Sequence, residues 1–287
     1  MIRKFFYTAL ICLLYIPAAI SAPSSWTVKD GDTTITLLGT FHLGKADMNW
    51  LTDATLAKIQ ASDRLFLEVA PEETTPEAMT PIIMAHGRLP QNQSLPTILS
   101  PAMHRKLLDY LYNKGMPVGS FDHMRPWLAA NVISINEFQA RGLSPEFGAE
   151  RLVTSKAVEK NIRIFGLETA EEQIALFSSL SFEDEVEFLS STLDDVGKAD
   201  VMIEGLITAW LTGDDAKLHR LMSSELKRIP GMEKKLIHNR NENWAKQIKK
   251  MMDEPGQIFI AVGAGHLVGE RGVPILLKEA GYTVSKN

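Results

Sequence analysis

Two apolar runs near opposite ends of the 287-residue chain finish in the same pattern. Residues 35–38 lead into Gly39-Thr40-Phe41-His42-Leu43-Gly44, and residues 258–262 lead into Gly263-Ala264-Gly265-His266-Leu267. Each run has the character of a buried β-strand, and the glycines let the backbone turn sharply where the strand ends. Ligands of open α/β sheets bind at the carboxyl ends of the strands. The repeated pattern therefore predicts an α/β fold in which His42 and His266 lie at a functional sheet edge.

A single histidine at a strand end is more often a structural residue than a ligand. Two histidines in matched contexts, far apart in the sequence, favour a functional role. The remaining histidines have no comparable context, and we interpret them as surface or structural residues: His86, His104, His123, His219 and His238.

The arrangement of the other apolar segments supports a layered α/β structure. Residues 26–28 and 33–38 flank Asp30-Gly31, a dipeptide typical of β-hairpin turns. Helical patterns separate most of the remaining strands, which favours a mixed central β-sheet flanked by helices. The further predicted strands cover residues 64–69, 118–121, 162–165, 257–262 and 282–284.

Helical patterns account for most of the remaining chain. The segment of about residues 170–252 contains no convincing strand, and we expect it to form a helical cap over the sheet. Gly281 follows the last predicted helix as a natural C-cap. The other predicted helices cover residues 53–61, 101–113, 126–141, 145–160 and 272–280.

The amino-terminal segment has the order of a secretory signal peptide. Arg3 and Lys4 precede an apolar run at residues 5–16, and small residues follow at 17–22. The run is short for a membrane span, so we expect cleavage after Ser21 and a periplasmic or secreted protein. A retained membrane anchor is the alternative. After cleavage no stable transmembrane segment is expected, and residues 22–287 are predicted to form one domain.

Composition excludes several classes of protein. The formal charge is −5, and loss of Arg3 and Lys4 changes it to −7, so nucleic-acid binding is not expected. Cys12, the only cysteine, lies in the leader, which excludes disulfides and thiolate chemistry in the mature chain. The chain lacks His-Glu-x-x-His, Gly-x-Ser-x-Gly and P-loop motifs. Methionines in the helical half are expected to fill a core, with a Met-rich groove as the alternative.

Acidic residues also follow predicted strands. Glu68 ends the strand at residues 64–69, and Glu168 follows the run at residues 162–167. Burial of a carboxylate there requires a partner, since an unpaired buried charge is costly. Convergence of His42, His266 and Glu68 would form a two-histidine, one-carboxylate set suited to a catalytic divalent metal. For Glu168, loop capping or pairing with an arginine is an equal alternative.

One predicted helix carries further polar candidates. Ile237, Asn241, Trp244, Ile248 and Met251 share one apolar face, which turns Asn241 toward the core with Arg240 beside it. We expect Arg240, Asn241 or Glu168 to orient the substrate or to stabilise an oxyanion. Arg240 would also serve as a structural partner for Glu68 or Glu168.

Taken together, these segments resemble the TraB/GumN/PrgY family, which is related to the Tiki metalloproteases. The resemblance covers nearly the whole mature chain. It rests on residues 37–42, 65–68, 125–128, 166–169, 171–173, 240–241 with Trp244, 263–267, 272–273 and 281–282.

The resemblance implies a metal-dependent site built from the two Gly-x-x-His motifs and a glutamate, here His42, His266 and Glu68. A more distant similarity to the erythromycin-esterase and ChaN-like fold implies a mixed sheet flanked by helices. The family often has Gly-Val-Asp where this chain has Gly148-Ala149-Glu150, so Glu150 is left outside the expected site.

The sequence therefore predicts an exported metal-dependent hydrolase that acts on a peptide or another small molecule. Mn, Co and Zn are not distinguished, and neither the substrate nor the oligomeric state is predicted. Metal-free acid–base hydrolysis by a histidine and a glutamate is a variant that the same residues permit. The alternative class is a non-catalytic binding protein that sequesters a peptide, haem or a metal in the same cleft.

Overall fold

The computed structural model describes residues 22–287, and the predicted leader at residues 1–21 lies outside this range. The described range contains a mixed β-sheet whose strand order is β4-β3-β5-β2-β1-β6. Strands β4, β3, β5 and β2 are parallel, whereas β1 pairs antiparallel with both β2 and β6. The strands are β1 (Ser25–Lys29), β2 (Thr33–Thr40), β3 (Arg64–Val69), β4 (Arg163–Glu168), β5 (Gly256–Gly263) and β6 (Thr283–Lys286).

Helices flank this sheet, which confirms the predicted fold class. Short 3₁₀ turns cover Pro71–Thr74, Pro145–Phe147 and Ala264–His266, and a π-helical turn covers Lys234–His238. The α-helices are α1 (Asp53–Gln60), α2 (Pro76–His86), α3 (Leu95–Ile98), α4 (Pro101–Asn113), α5 (Pro126–Ala140), α6 (Ala149–Val158), α7 (Ala170–Ser178), α8 (Phe182–Asp195), α9 (Ala199–Thr212), α10 (Asp215–Leu226), α11 (Asn239–Met251) and α12 (Val273–Glu279).

The segment expected to form the cap is helical from α7 to α11, as predicted. Trp210 of α9 attaches this segment to the sheet, because its indole N–H donates to the Gly39 carbonyl oxygen over 2.9 Å. The Trp210 ring also contacts Trp50 and Phe41, with centroid separations of 5.7 and 6.0 Å. None of the helices within residues 22–287 has both the length and the apolar character that a bilayer span requires.

One predicted strand is wrong. Residues 118–121 form a turn between α4 and α5. Gly119 adopts a φ of +91°, and Val118 is 80% exposed, so no continuous apolar strand forms here. Of these four residues only Phe121 is buried, in an apolar core formed mainly by α3, α4, α5 and α8. Helices α2 and α3 were not predicted, since both are rich in proline and residues 76–98 lack a regular apolar face.

The order of the strands determines where functional residues meet. β5 lies between β2 and β3, and its residues 258–263 are buried. Gly263 at the end of β5 is opposite Thr40 at the end of β2, and Val69 of β3 is opposite Glu168 of β4. The carboxyl ends of these four parallel strands therefore lie along one edge of the sheet.

A second apolar core lies among the helices, separate from the apolar core around the sheet. It contains residues of α3, α4, α5 and α8, such as Leu95, Leu107, Ile133 and Leu189. A buried ion pair joins α5 to α8: Arg125, the N-cap of α5, donates to both carboxylate oxygens of Glu185. Arg125 also donates to the Ser178 carbonyl oxygen. This pairing gives a structural reason for the arginine in the 125–128 segment.

Candidate active site

The first histidine motif is held by a carboxylate from α6. His42 lies just past the end of β2, and its Nδ1 is 2.7 Å from Oε1 of Glu150. The Thr40 hydroxyl donates to the same carboxylate oxygen, and the Ala149 N–H donates to the Phe41 carbonyl oxygen over 3.0 Å. Glu150 was left outside the expected site, but in the structure it contacts His42 directly.

A glycine permits this close approach. A Cβ atom on Gly148 would lie 2.4 Å from the His42 carbonyl oxygen, a distance that the backbone cannot accommodate. The tight contact between the His42 loop and the start of α6 fixes the direction of the imidazole. Its Nδ1 faces Glu150, and its Nε2 faces the centre of the sheet edge.

The second histidine motif is held by α11. His266 ends the turn that follows β5, and its Nδ1 is 2.6 Å from Oδ1 of Asn241. Since this amide oxygen only accepts, Nδ1 carries the proton and Nε2 is the acceptor. The Asn241 amide nitrogen donates to the Arg271 carbonyl oxygen, and the Trp244 ring packs 4.4 Å from the imidazole between centroids.

Asn241 is fully buried, and protein groups satisfy both ends of its side-chain amide. Direct contact with a substrate was one role expected for Asn241. The geometry favours a different role, which is to fix the tautomer and orientation of His266.

Glu68 lies between the two histidines. Its Oε1 is 3.9 Å from Nε2 of His42 and 3.9 Å from Nε2 of His266. The same oxygen accepts the Gly263 N–H over 2.7 Å. The other oxygen, Oε2, accepts from Arg240 Nη2 over 2.5 Å and from Gln173 Nε2 over 3.0 Å. Glu68 is thus a buried carboxylate with one face turned toward both imidazoles.

Arg240 is the positive centre of the cluster. Its guanidinium lies between Glu68 and Glu168, with Nη2 2.6 Å from Oε1 of Glu168. Its Nη1 is 2.8 Å from Nε2 of His266 and donates to the Leu236 carbonyl oxygen in the π-helical turn. The guanidinium carbon lies 4.7 Å from the Trp244 ring centroid, a cation–π contact.

Gln173 is a site residue that was not predicted from the sequence. Its side-chain amide donates to Glu68 and to Glu168, so it bridges the two carboxylates from α7. Its position in the 171–173 segment of the family resemblance was the available signal. The six residues expected from the sequence, His42, Glu68, Glu168, Arg240, Asn241 and His266, lie together at this edge.

The two histidines have opposite protonation preferences. The Glu150 carboxylate, assisted by Glu68, raises the pKa of His42 to about 10, although burial acts in the other direction. Burial, together with the charge of Arg240, lowers the pKa of His266 to about 3, although Glu68 acts in the other direction. At neutral pH, His42 is therefore an imidazolium and His266 a neutral imidazole.

The two central glutamates also differ. Burial raises the pKa of Glu68, but Arg240, the two histidines and the Gly263 N–H together outweigh that effect and hold the pKa well below the usual value. For Glu168, burial raises the pKa despite its contacts with Arg240. Glu68 is therefore the carboxylate that stays ionised, and Glu168 is the one that protonates more readily.

The cluster forms the floor of a cavity of about 510 Å³, here called the cap cavity. His42 opens into it and is 63% exposed. The cavity walls come mainly from the cap and are largely apolar, and two methionines of the helical segment, Met202 and Met222, line them. Its apolar lining includes Leu176, Phe177, Met202, Leu206, Leu221, Met222 and Ile237.

The orientation of His42 and His266 suits the binding of a divalent metal. His42 and His266 each have one ring nitrogen held by an oxygen of a neighbouring side chain, which is how metal-ligating histidines are commonly oriented. Their other nitrogens face Glu68, and a Cβ on Gly263 would lie 3.0 Å from the Glu68 oxygen and 3.3 Å from His42 Nε2. The missing Cβ leaves a small space at the centre of the set.

The donor types and orientations therefore fit a divalent cation, but one donor nitrogen is already in contact with Arg240. Arg240 donates to His266 Nε2, so a metal that uses His266 must displace this N–H. Within residues 22–287, no group of three or more histidine, cysteine, aspartate or glutamate side chains is already arranged as a metal centre.

A sequence model of the TraB/PrgY/gumN family matches residues 24–286. The chain belongs to this family. The chain is 27% identical over 252 residues to YbaP of Escherichia coli, a match that covers 86% of this chain and 89% of YbaP.

More distant relatives include proteins named metalloproteases. Metalloprotease TIKI1 of Danio rerio is 23% identical over 317 residues, which covers 90% of this chain and 62% of that protein. Metalloprotease TIKI2 of the same organism is 23% identical over 302 residues, which covers 86% and 57% of the two chains. The chain therefore has a distant metallopeptidase-like relationship. No solved structure matches it significantly.

Proposed function

We propose that this protein is an exported metal-dependent hydrolase that cleaves a peptide bond. The observation that carries the proposal is the pair of imidazoles at 3.9 Å from one carboxylate oxygen, each oriented by a side-chain oxygen. This set lies at the floor of the cap cavity, where a substrate has access to it. The distant relationship to proteins named metalloproteases supports the same reaction class.

His42, His266 and Glu68 are the proposed metal ligands. A divalent cation held there would lower the pKa of a bound water and polarise a carbonyl group. Binding requires deprotonation of His42, so metal uptake releases a proton. The ionised Glu68 offers the cation Oε1, the oxygen that faces both imidazoles.

Arg240 is the proposed group for substrate orientation and for stabilisation of negative charge. Its guanidinium lies beside both Glu68 and His266, and Glu168 with Gln173 holds it in place. An arginine fixed by a second carboxylate needs little rearrangement when charge develops nearby. Glu168 and Gln173 are therefore proposed as positioning residues for Arg240.

Metal-free acid–base hydrolysis is the second candidate. The Arg240 contact to His266 Nε2 favours it, because this contact occupies the nitrogen that a metal would need. In this reaction the His42 imidazolium would act as the proton donor, and Glu68 as the acceptor.

The deciding experiment measures bound metal per chain and peptide cleavage in the same samples. The protein is stripped with a chelator, reloaded with Mn²⁺, Co²⁺ or Zn²⁺, and compared with the His42→Ala/His266→Ala double variant. The matched control is His123→Ala, since His123 is an exposed histidine outside the site. We expect about one metal per chain in the wild type and in the control, and none in the double variant.

Three other outcomes have clear meanings. Peptide cleavage without specific metal would select the metal-free reaction. Metal binding without cleavage, or a Soret band after haem titration, would select a binding protein. Retained turnover in the Glu68→Gln variant would show that the Glu68 carboxylate takes no part in the reaction.

Export is the second part of the proposal. It rests on the signal-peptide pattern of residues 1–21. Fractionation of the producing cells and mass determination of the purified chain test it. We expect a mature chain that begins at Ala22, whereas an uncleaved chain in the cytoplasmic fraction would refute export.

A further inference from the structure

A second cavity, of about 270 Å³, adjoins the cap cavity and is here called the side cavity. It lies between α10, the π-helical turn and the loop after His266. Polar side chains make up a larger share of its lining than of the lining of the cap cavity. These are His219, Ser223, Lys227, Glu233, His238, Glu270 and Arg271.

The two cavities share a thin wall. Met222, Leu226, Ile237 and Gly265 line both of them. Gly265 immediately precedes His266, and a Cβ there would lie 2.3 Å from Cε and 2.9 Å from Sδ of Met222. The Met222 side chain therefore packs on the bare backbone beside the candidate site. Methionine is unbranched and flexible, so Met222 yields more readily than the branched Leu226 and Ile237 of the same wall.

The polar groups of the side cavity indicate what it can hold. Lys227 and Arg271 balance Glu233 and Glu270, so with neutral histidines the lining has no net formal charge. Glu233 accepts the Ser223 hydroxyl over 2.5 Å and lies 3.8 Å from Lys227 Nζ. Donors and acceptors are thus both present without a dominant charge. An acyl chain would displace water from these polar groups without replacing its hydrogen bonds, and a polyanion would meet the two glutamates. A peptide main chain offers matching N–H and C=O groups.

We propose that the side cavity is a second subsite for the same peptide substrate. The substrate places a bulky apolar side chain in the cap cavity, and its neighbouring main-chain segment lies in the side cavity. Met222 separates the two subsites and determines how long an apolar group the cap cavity accepts. This inference relies on the proposed peptide substrate, but it is tested by binding and does not require turnover.

The first test uses fluorescein-labelled peptides and fluorescence anisotropy, in a chelator to prevent metal-dependent cleavage. One peptide carries phenylalanine followed by three serines, a second replaces phenylalanine by alanine, and a third ends directly after phenylalanine. Burial of the larger side chain predicts about tenfold tighter binding of the phenylalanine peptide than of the alanine peptide. The serine extension is expected to tighten binding by about fivefold, on the basis of one net hydrogen bond. Equal affinity for the extended and the truncated peptide would overturn the proposal.

The second test changes the wall. Met222→Ala should accept biphenylalanine in place of phenylalanine, shifting the preference between these two peptides by about tenfold toward the longer group. Met222→Phe should shift it in the opposite direction, which keeps the test valid where the alanine variant folds poorly. Met251→Ala is the matched control, a partly buried methionine that lines neither cavity. An unchanged preference in both Met222 variants would refute the role of this wall.

The third test removes one positive and one negative charge of the side cavity, those of Lys227 and Glu233, and preserves the side-chain size. Lys227→Met/Glu233→Gln should abolish the gain from the serine extension and leave the affinity for the truncated peptide unchanged. A retained gain would place the extension elsewhere. If the peptides bind as expected but none is cleaved under any metal condition, the two-subsite proposal stands and the hydrolase proposal fails.

Discussion

At the scale of single residues, the contact between His42 and Glu150 makes stability depend on pH. The folded chain holds the pKa of His42 at about 10, against an ordinary value of 6.5. A raised folded-state pKa contributes stability that is complete below pH 6.5 and is lost as the pH rises toward 10. Removal of the Glu150 charge should therefore remove much of this dependence.

The expected result is that the melting temperatures of the wild type and of Glu150→Gln converge as the pH rises. Metal-free wild type should melt at a higher temperature than Glu150→Gln at pH 6, and the difference should shrink steadily between pH 6.5 and 10. The control is Glu159→Gln, an exposed glutamate of the Lys156 pair. A difference that stays constant over this range would show that Glu150 does not act through the charge of His42.

The guanidinium of Arg240 leads to a second residue-scale prediction. Arg240→Met leaves the Glu68 and Glu168 carboxylates without their common partner, and loss of one partner of a buried ion pair costs about 3 kcal/mol or more of unfolding free energy. Added Zn²⁺ or Mn²⁺ should restore part of this loss, because the variant frees His266 Nε2 and a cation replaces the missing charge.

Urea denaturation with and without metal measures both effects. Arg228→Met is the control, since Arg228 forms exposed ion pairs, and its loss should cost no more than about 1 kcal/mol. If added metal stabilises the wild type as much as it stabilises the Arg240→Met variant, Arg240 and the cation do not compete for His266.

At the scale of helices and strands, the ends of the strands could be predicted from the sequence. The repeated Gly-x-x-His pattern placed His42 and His266 at one edge because parallel strands end on the same side. The apolar face of α11 likewise predicted that Asn241 is buried. Glu150 was left out because Gly148-Ala149-Glu150 departs from the family pattern, and only the packing of α6 shows that Glu150 contacts Thr40 and His42. The false strand at residues 118–121 shows that a short apolar run does not distinguish a strand from a turn with one buried aromatic residue.

The end of β5 supports a prediction about this strand edge. A Cβ on Gly263 would contact Glu68 Oε1 at 3.0 Å and His42 Nε2 at 3.3 Å. Gly263→Ala should therefore weaken metal binding by on the order of tenfold, and it should cost about 1–3 kcal/mol of stability through overpacking. Isothermal titration with Co²⁺ and urea denaturation measure the two effects. Gly31→Ala is the control, because its Cβ would meet nothing within 4 Å. Equal metal affinity in the two variants would exclude the proposed centre.

At the scale of the whole molecule, the two largest apolar cores within residues 22–287 lie around the sheet and among the helices, and the predicted single domain requires them to unfold together. Arg125 and Glu185 join α5 to α8 inside the helical core, and the Glu185 side chain is fully buried. Arg125→Met leaves this carboxylate without its charged partner, at a cost of about 3 kcal/mol. Burial already raises the pKa of Glu185, so protonation should relieve the loss as the pH falls.

Calorimetry then tests the cooperation of the two cores. In a single domain, Arg125→Met lowers the temperature of one common transition, and the sheet core melts with the helical core. Lys106→Met is the control, because the Lys106–Asp194 pair also reaches α8 but is exposed. Two separated transitions in Arg125→Met would show instead that the helical core unfolds on its own. In that case the site residues of the sheet edge would keep their metal affinity at temperatures where the helical core has already melted.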